Sequence, residues 1–352
     1  MLIGVPNGTR FVPYLRHQID AGTYTDQDNV LRELVRNAHL SPEERVKITK
    51  DAAQIVRDIR GHTSPGIMEV FLAEYGLSTD EGVALMCLAE ALLRVPDAET
   101  IDALIEDKIA PSDWGRHMGH STSPLVNAST WALMLTGRVL DDDQPGPVRH
   151  LRAAIKRLGE PVIRTAVSRA MKEMGRQFVL GENINAAMER AKGMEKKGYT
   201  YSYDMLGEAA RTESDAKRYH LSYSRAISAI ATACIHKDSR KNPGISVKLS
   251  ALHPRYEVAQ ETSVMRDLVP RLRALALLAK SANMGLNVDA EEADRLGLSL
   301  DVIEQVLSEP ALSGWDGFGI VVQAYGPRAG VVIDALYDMA IRHDRKLMVR
   351  LV

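Results

Sequence analysis

From about residue 199 onward, short apolar runs alternate with longer amphipathic ones. Ile245, Val247 and Leu249 alternate with Ser246, Lys248 and Ser250 until Pro254 interrupts the run. That period of two predicts one short strand ending in a polar loop. Lys248, the strand's single cation, is placed within it, where a charge needs a partner. Further strands are predicted at residues 199–204, 285–289, 318–323 and 346–352. Helices are predicted between them, over about 214–235, through Leu268, Leu272, Leu275, Leu278 and Ala279, through Val302, Ile303 and Val306, and over about 329–342. Strands recurring every 30 to 45 residues or so, with helices between, predict βα units and a parallel sheet.

Two topologies compete, an open doubly wound sheet and a (β/α)8 barrel. The turn after the first strand, Asp204-Met-Leu-Gly-Glu-Ala, lacks the G-x-G-x-x-G spacing of a dinucleotide fold. A barrel places polar, functional side chains at the C-terminal ends of its strands. Asp204, Lys248, Asp289, Gln323 and Arg350 fall there, so an incomplete TIM-type barrel of about five strands is expected over residues 199–352.

The preceding region is helical in pattern. Leu31, Leu34 and Val35 share one face, and Ser41-Pro-Glu-Glu44 supplies the cap, proline and acidic first turn of a further helix through Val46, Ile48, Ala52, Ala53, Ile55, Val56 and Ile59. Residues 1–62 read as a helical arm, one that packs on a partner subunit or lies on its own domain's surface. Residues 63–140 read as a small helical domain anchored by Trp114 and Trp131. The three-residue spacing of His117 and His120 lacks the further donors of a metal site. Residues 141–198 read as a linker and helices, and Arg149, Arg152, Lys156 and Arg157 there form a solvated basic face.

Composition narrows the partners. Across 352 residues the formal net charge is −2, which gives no general attraction to nucleic acid. Cys87 and Cys234 are the two cysteines, far apart in apolar helical contexts, and are expected as reduced core residues of a reducing compartment. No signal peptide or spanning segment is expected, which places the chain in the cytoplasm and leaves peripheral membrane contact open.

A ring of Lys, Arg, Asp and Gln without a nucleophilic Ser or Cys suits an organic cofactor or a small charged substrate. A metal-dependent lyase-type barrel is the physical rival, since Asp204, Glu208 and Asp289 include enough carboxylates for a divalent ion. A third reading has the charges paired only among themselves at a barrel mouth.

The motifs Tyr203-Asp-Met-Leu-Gly-Glu-Ala-Ala210, Ser246-Val-Lys-Leu-Ser-Ala-Leu-His-Pro-Arg-Tyr256, Asn287-Val-Asp-Ala-Glu-Glu-Ala-Asp294, Val321-Val-Gln-Ala-Tyr325 and Met348-Val-Arg-Leu-Val352 resemble the proline dehydrogenase domain of bacterial proline utilization A. The helical N-terminal region resembles that family's arm and α-domain. The resemblance implies a (β/α)8 barrel that binds FAD noncovalently, oxidises L-proline to Δ1-pyrroline-5-carboxylate and passes electrons to a membrane quinone. It implies that Lys248 helps bind the proline carboxylate, that Gln323, Arg350 and Val352 contact the flavin, and that Asp289 supports the site electrostatically. It further implies that Glu208 is the acidic half of an ion-pair gate and that Asp204 orients its neighbours.

Two departures stand out. Gly326-Pro-Arg328 follows Val-Val-Gln-Ala-Tyr where the family commonly has Gln and a basic residue, and the sequence stops within the fifth strand. The last three βα units are therefore expected in a longer polypeptide, along with the gate partner of Glu208 and an aldehyde dehydrogenase domain. This segment alone is expected to be inactive. A barrel fragment that binds flavin or a partner without turnover is the alternative. Contact with the inner face of the membrane and self-association through the arm are further expectations. With Met1 leading almost directly into the arm, no nucleic-acid partner is expected.

Overall fold

A computed structural model describes residues 11–61 and 179–352. It divides into two compact units, Met1–His39 with Glu182–Val352, and Leu40–Gly181. The expected helical domain, with Trp114, Trp131, His117 and His120, lies outside the described residues, as do Cys87 and most of the region 141–198.

In the first unit, helices α1 (Phe11–Ala21) and α2 (Gln27–Ala38) precede α4 (Ile184–Glu195). Helix α3 (Pro42–Arg60), in the second unit, starts as its sequence predicts: Ser41 and Glu44 exchange side-chain-to-backbone bonds in a capping box, with Pro42 in the first turn. Its apolar residues Val46, Ile48, Ile55, Val56 and Ile59 are exposed.

Five strands follow: β1 (Ser202–Asp204), β2 (Gly244–Val247), β3 (Gly285–Val288), β4 (Phe318–Val322) and β5 (Met348–Leu351). All pair in parallel, in the spatial order β1-β2-β3-β4-β5. Sequential order is what successive barrel strands give, whereas a doubly wound sheet reverses at a switch point. Helices α5 (Glu213–Ala231), α6 (Glu261–Ser281), α7 (Leu296–Leu307) and α8 (Ala329–Arg342) form the crossovers.

Alternation along the strands sorts two faces. Ile245, Val247, Leu286, Val288, Phe318, Ile320 and Val322 are buried, together with Ile227 and Ile230 of α5, Leu272 and Leu275 of α6, Val302 and Val306 of α7, and Leu336 and Met339 of α8. Each fully buried aliphatic side chain contributes about 1.5–3 kcal/mol, so this layer dominates the stability of the unit. The opposite face is the lumenal one. There Ser202 Oγ meets Ser246 Oγ at 3.1 Å, and Gly319 lies beside Asn287.

Helix α1 joins this unit from the far end of the sequence. Leu15 and Ile19 are buried, and Arg16 donates to Gly297 O and to the Asp301 carboxylate, both at 2.7 Å. Arg328 reaches Thr23 Oγ1 at 3.0 Å and Ala293 O at 2.6 Å, so the Gly326-Pro-Arg328 departure ends in a strut between the N-terminal segment and the loop after β3.

Three boundaries differ from expectation. The first strand begins at Ser202 rather than 199, because the ladder to β2 starts with Ser202 opposite Gly244. Helix α5 ends at Ala231, and Ile235 is exposed beyond it. Strand β2 ends at Val247, so Lys248 caps a short 3-10 turn (Leu249–Ala251) rather than lying within the strand. Cys234 is a half-buried free thiol whose pKa burial pushes up, as suits a core residue.

Candidate active site

The polar residues predicted at the strand ends converge. Lys248 Nζ donates to both carboxylate oxygens of Asp204 at 2.9 Å and to Asp289 Oδ2 at 3.0 Å. Asp289 Oδ1 accepts from Arg350 at 2.5 Å, and a second Arg350 nitrogen lies 3.3 Å from Ser246 Oγ. The result is a chain of alternating charge, Asp204–Lys248–Asp289–Arg350, across β1, β2, β3 and β5. The side chains of Lys248 and Asp289 are only 18% and 11% exposed, whereas Asp204 and Arg350 are 50% and 44% exposed. The inner pair is therefore fixed and the outer ends are open to exchange partners. Burial pulls the Lys248 pKa down, but hydrogen bonds to Asp204 and Asp289 outweigh it, and the net shift is upward. Lys248 is a permanent cation at neutral pH, not a base.

The backbone of Lys248 has its own anchor. Strand β1 stops at Asp204, so no ladder partner extends beyond it, and the Lys248 N–H instead donates to the Tyr223 hydroxyl of α5 at 3.3 Å. Tyr223 is 2% exposed, and burial pushes its pKa up to about 12. Tyr223→Phe leaves that N–H without its partner and is expected to cost about 1–2 kcal/mol in urea unfolding. An unchanged midpoint would show that the bond carries nothing.

Gln323, just past β4, donates from Nε2 to Glu291 O at 3.1 Å. The Val352 backbone pairs on both sides with β4, donating to Val322 O and accepting from Ala324 N, each at 2.9 Å. Gln323, Val352 and Arg350 thus sit beside one another at the β4–β5 end. Glu208 stands apart: it is exposed in the loop after β1 and makes no ion pair among the described residues. Asp204 and Asp289 close on Lys248 instead of facing each other across an open centre. That geometry, with Glu208 apart, does not build the carboxylate site of the rival lyase reading.

Three participants were not singled out from sequence. Ser246 shares the lumenal face with Lys248 at the strand spacing of two, a signal that was available. Tyr223 lies on a helix, and no local pattern marks its reach to Lys248. Glu291 lies inside a quoted motif, but its role depends on a partner 41 residues away.

Comparison with known proteins agrees with this layout. Residues 187–352 match the profile of Proline dehydrogenase. Residues 14–60 match the Proline utilization A proline dehydrogenase N-terminal domain, and residues 67–178 the DNA-binding domain of Proline dehydrogenase. The Bifunctional protein PutA of Salmonella typhimurium is 48% identical over 342 residues, 96% of this chain and 26% of that protein. The chain belongs to the PutA-type proline dehydrogenase family.

The PutA of Rhizobium meliloti is 49% identical over 340 residues, 96% of this chain and 27% of that one. The chain spans about a quarter of the length of these PutA relatives. A crystal structure of a Bradyrhizobium japonicum PutA variant superimposes with a TM-score of 0.62 at 49% identity, covering 93% of this chain and 33% of that chain. The helical N-terminal part followed by a parallel five-stranded α/β sheet thus matches the barrel region of PutA proteins. The DNA-binding description over residues 67–178 leaves the expected absence of a nucleic-acid partner without support. Among the described residues, no helix is long and apolar enough to cross a membrane.

Proposed function

We propose that this strand-end cluster is the proline and flavin site of an FAD-dependent proline dehydrogenase. The observation that carries the reading is the charge chain through Asp289, which holds one cation at each end of the same carboxylate. Lys248 takes the proline carboxylate. Its three N–H donors are engaged, two by the exposed Asp204, so Asp204 is the partner that yields to an incoming anion.

The residues present fit a flavin edge. Arg350 is a half-exposed guanidinium on the lumenal face, Gln323 accepts from no donor among the described residues at its side-chain oxygen, and Val352 supplies an exposed apolar side chain. FAD, when bound, supplies the two-electron acceptor for oxidation of L-proline to Δ1-pyrroline-5-carboxylate, with a membrane quinone as the onward acceptor. Arg350 stabilises negative charge at that edge, and Asp289 holds the guanidinium in place so that little reorganisation is needed. Glu208 serves as the acidic side of a gate over the substrate.

The test is to incubate the purified chain with FAD, desalt it and record the visible spectrum. A retained, protein-perturbed flavin band is expected. In Lys248→Met the band is expected to persist, because that residue is assigned to the proline carboxylate and not to the flavin. A colourless protein after desalting overturns the reading for this chain.

A further inference from the structure

We propose that Glu291 is a positioning residue, whose carboxylate locks the loops after β1, β2 and β3 together and so fixes both Glu208 and Gln323. The role given to those two residues rests on the flavin-site reading above; the lock itself does not.

The geometry is a hub of few atoms. Glu291 Oε2 accepts from the Ser250 backbone N–H at 3.0 Å, and Glu291 Oε1 accepts from the Ser250 hydroxyl. The carboxylate thus takes both donors of one serine, a reach that a shorter side chain lacks. Ser250 passes the constraint on. Its Oγ accepts from Ala209 N at 3.0 Å and its carbonyl accepts from Ala210 N at 2.9 Å. These amides immediately follow Glu208. The turn they close is demanding: Gly207 has φ +127° and Ala209 has φ +50°. A non-glycine residue at positive φ persists only where its surroundings hold it, and the two bonds to Ser250 do so. On the other side, the Glu291 carbonyl accepts from Gln323 Nε2, linking the loop after β4.

The electrostatics favour a device over filler. Burial raises the Glu291 pKa, and the two Ser250 bonds offset only part of that rise. An ordinary fold gains nothing from desolvating a carboxylate at a loop junction. Among the described residues, none of the charged side chains of the strand-end cluster hydrogen-bonds or ion-pairs with Glu291, so it acts through Ser250 and its own backbone.

Hydrogen–deuterium exchange on the full chain tests this, with Glu291→Ala, Glu291→Gln and Ser250→Ala. In Glu291→Ala and Ser250→Ala, segments containing Ala209–Ala210 and Gln323 are expected to exchange about tenfold faster, while α6 is unchanged. Glu291→Gln, which keeps an acceptor for Ser250, is expected to restore most of the protection. Unchanged exchange at these segments overturns the proposal. So does acceleration shared equally by α6, which would mark general destabilisation, and so does a Gln variant as fast as the Ala variant. The flavin spectrum is a separate readout: a colourless parent chain overturns the flavin reading and leaves exchange to decide the hub.

Discussion

Asp289→Ala is expected to lower the stability of the chain by about 3 kcal/mol, the largest loss for any single charge in the strand-end cluster. Among the described residues, Asp289 is the only carboxylate paired with both Lys248 and Arg350, at 3.0 and 2.5 Å. Its removal leaves two cations facing each other across a largely desolvated gap. The figure sits at the low end for a broken buried pair because Arg350 is 44% exposed and water can replace part of what it loses. Lys248 retains Asp204, which further limits the damage. Because the Lys248 pKa is raised on folding, its contribution is fully present below the unfolded lysine value of about 10.4 and is lost as pH rises through the higher folded value. The penalty of Asp289→Ala should therefore be flat from neutral pH to about pH 10. Urea midpoints at pH 7 and pH 9 measure it, and a loss below about 0.5 kcal/mol would show the cluster to be energetically idle.

Gly319→Ala is expected to cost about 2–3 kcal/mol. A Cβ at Gly319 would fall 1.9 Å from Asn287 Oδ1 and 2.8 Å from its Cγ, with Met348 Cβ at 3.4 Å on the other side. Asn287 is opposite Gly319 in the ladder, so neither can slide away without breaking register. Because the obstruction is one short side chain, Asn287→Ala in the same chain should recover at least half of the loss. If the double variant is as unstable as Gly319→Ala alone, the strain lies in the backbone and not in this contact.

Both experiments probe what was hard to read in the sequence. The strands themselves were legible because apolar positions recur with period two at Ile245 and Val247 and because polar residues fall at strand ends. The convergence of Lys248 and Asp289 followed from the barrel geometry those strands implied. Exact ends were less legible. Ladder register, not composition, leaves Tyr199 outside β1, and a 3-10 turn, not Pro254, ends β2 at Val247. Gly319 gave no signal, since a glycine in a strand can mean a bulge, a bend or a close approach, and only the partner's identity decides. Glu291 and Tyr223 were illegible for a related reason: each acts on a residue 25 or more positions away, through a bond that no local periodicity encodes.

The clasp of α1 onto α7 sets an order of events during synthesis. Arg16 and Asp301 are 285 residues apart, and at about 5–20 residues per second a ribosome separates their appearance by roughly 15–60 s. For that interval Leu15 and Ile19, both buried in the finished fold, have no surface to dock against. Helix α1 is thus placed long after it is made, and contacts of such long sequence separation slow folding. Until α7 and α8 emerge, α1 remains a sticky amphipathic segment, the kind of surface a chaperone shields.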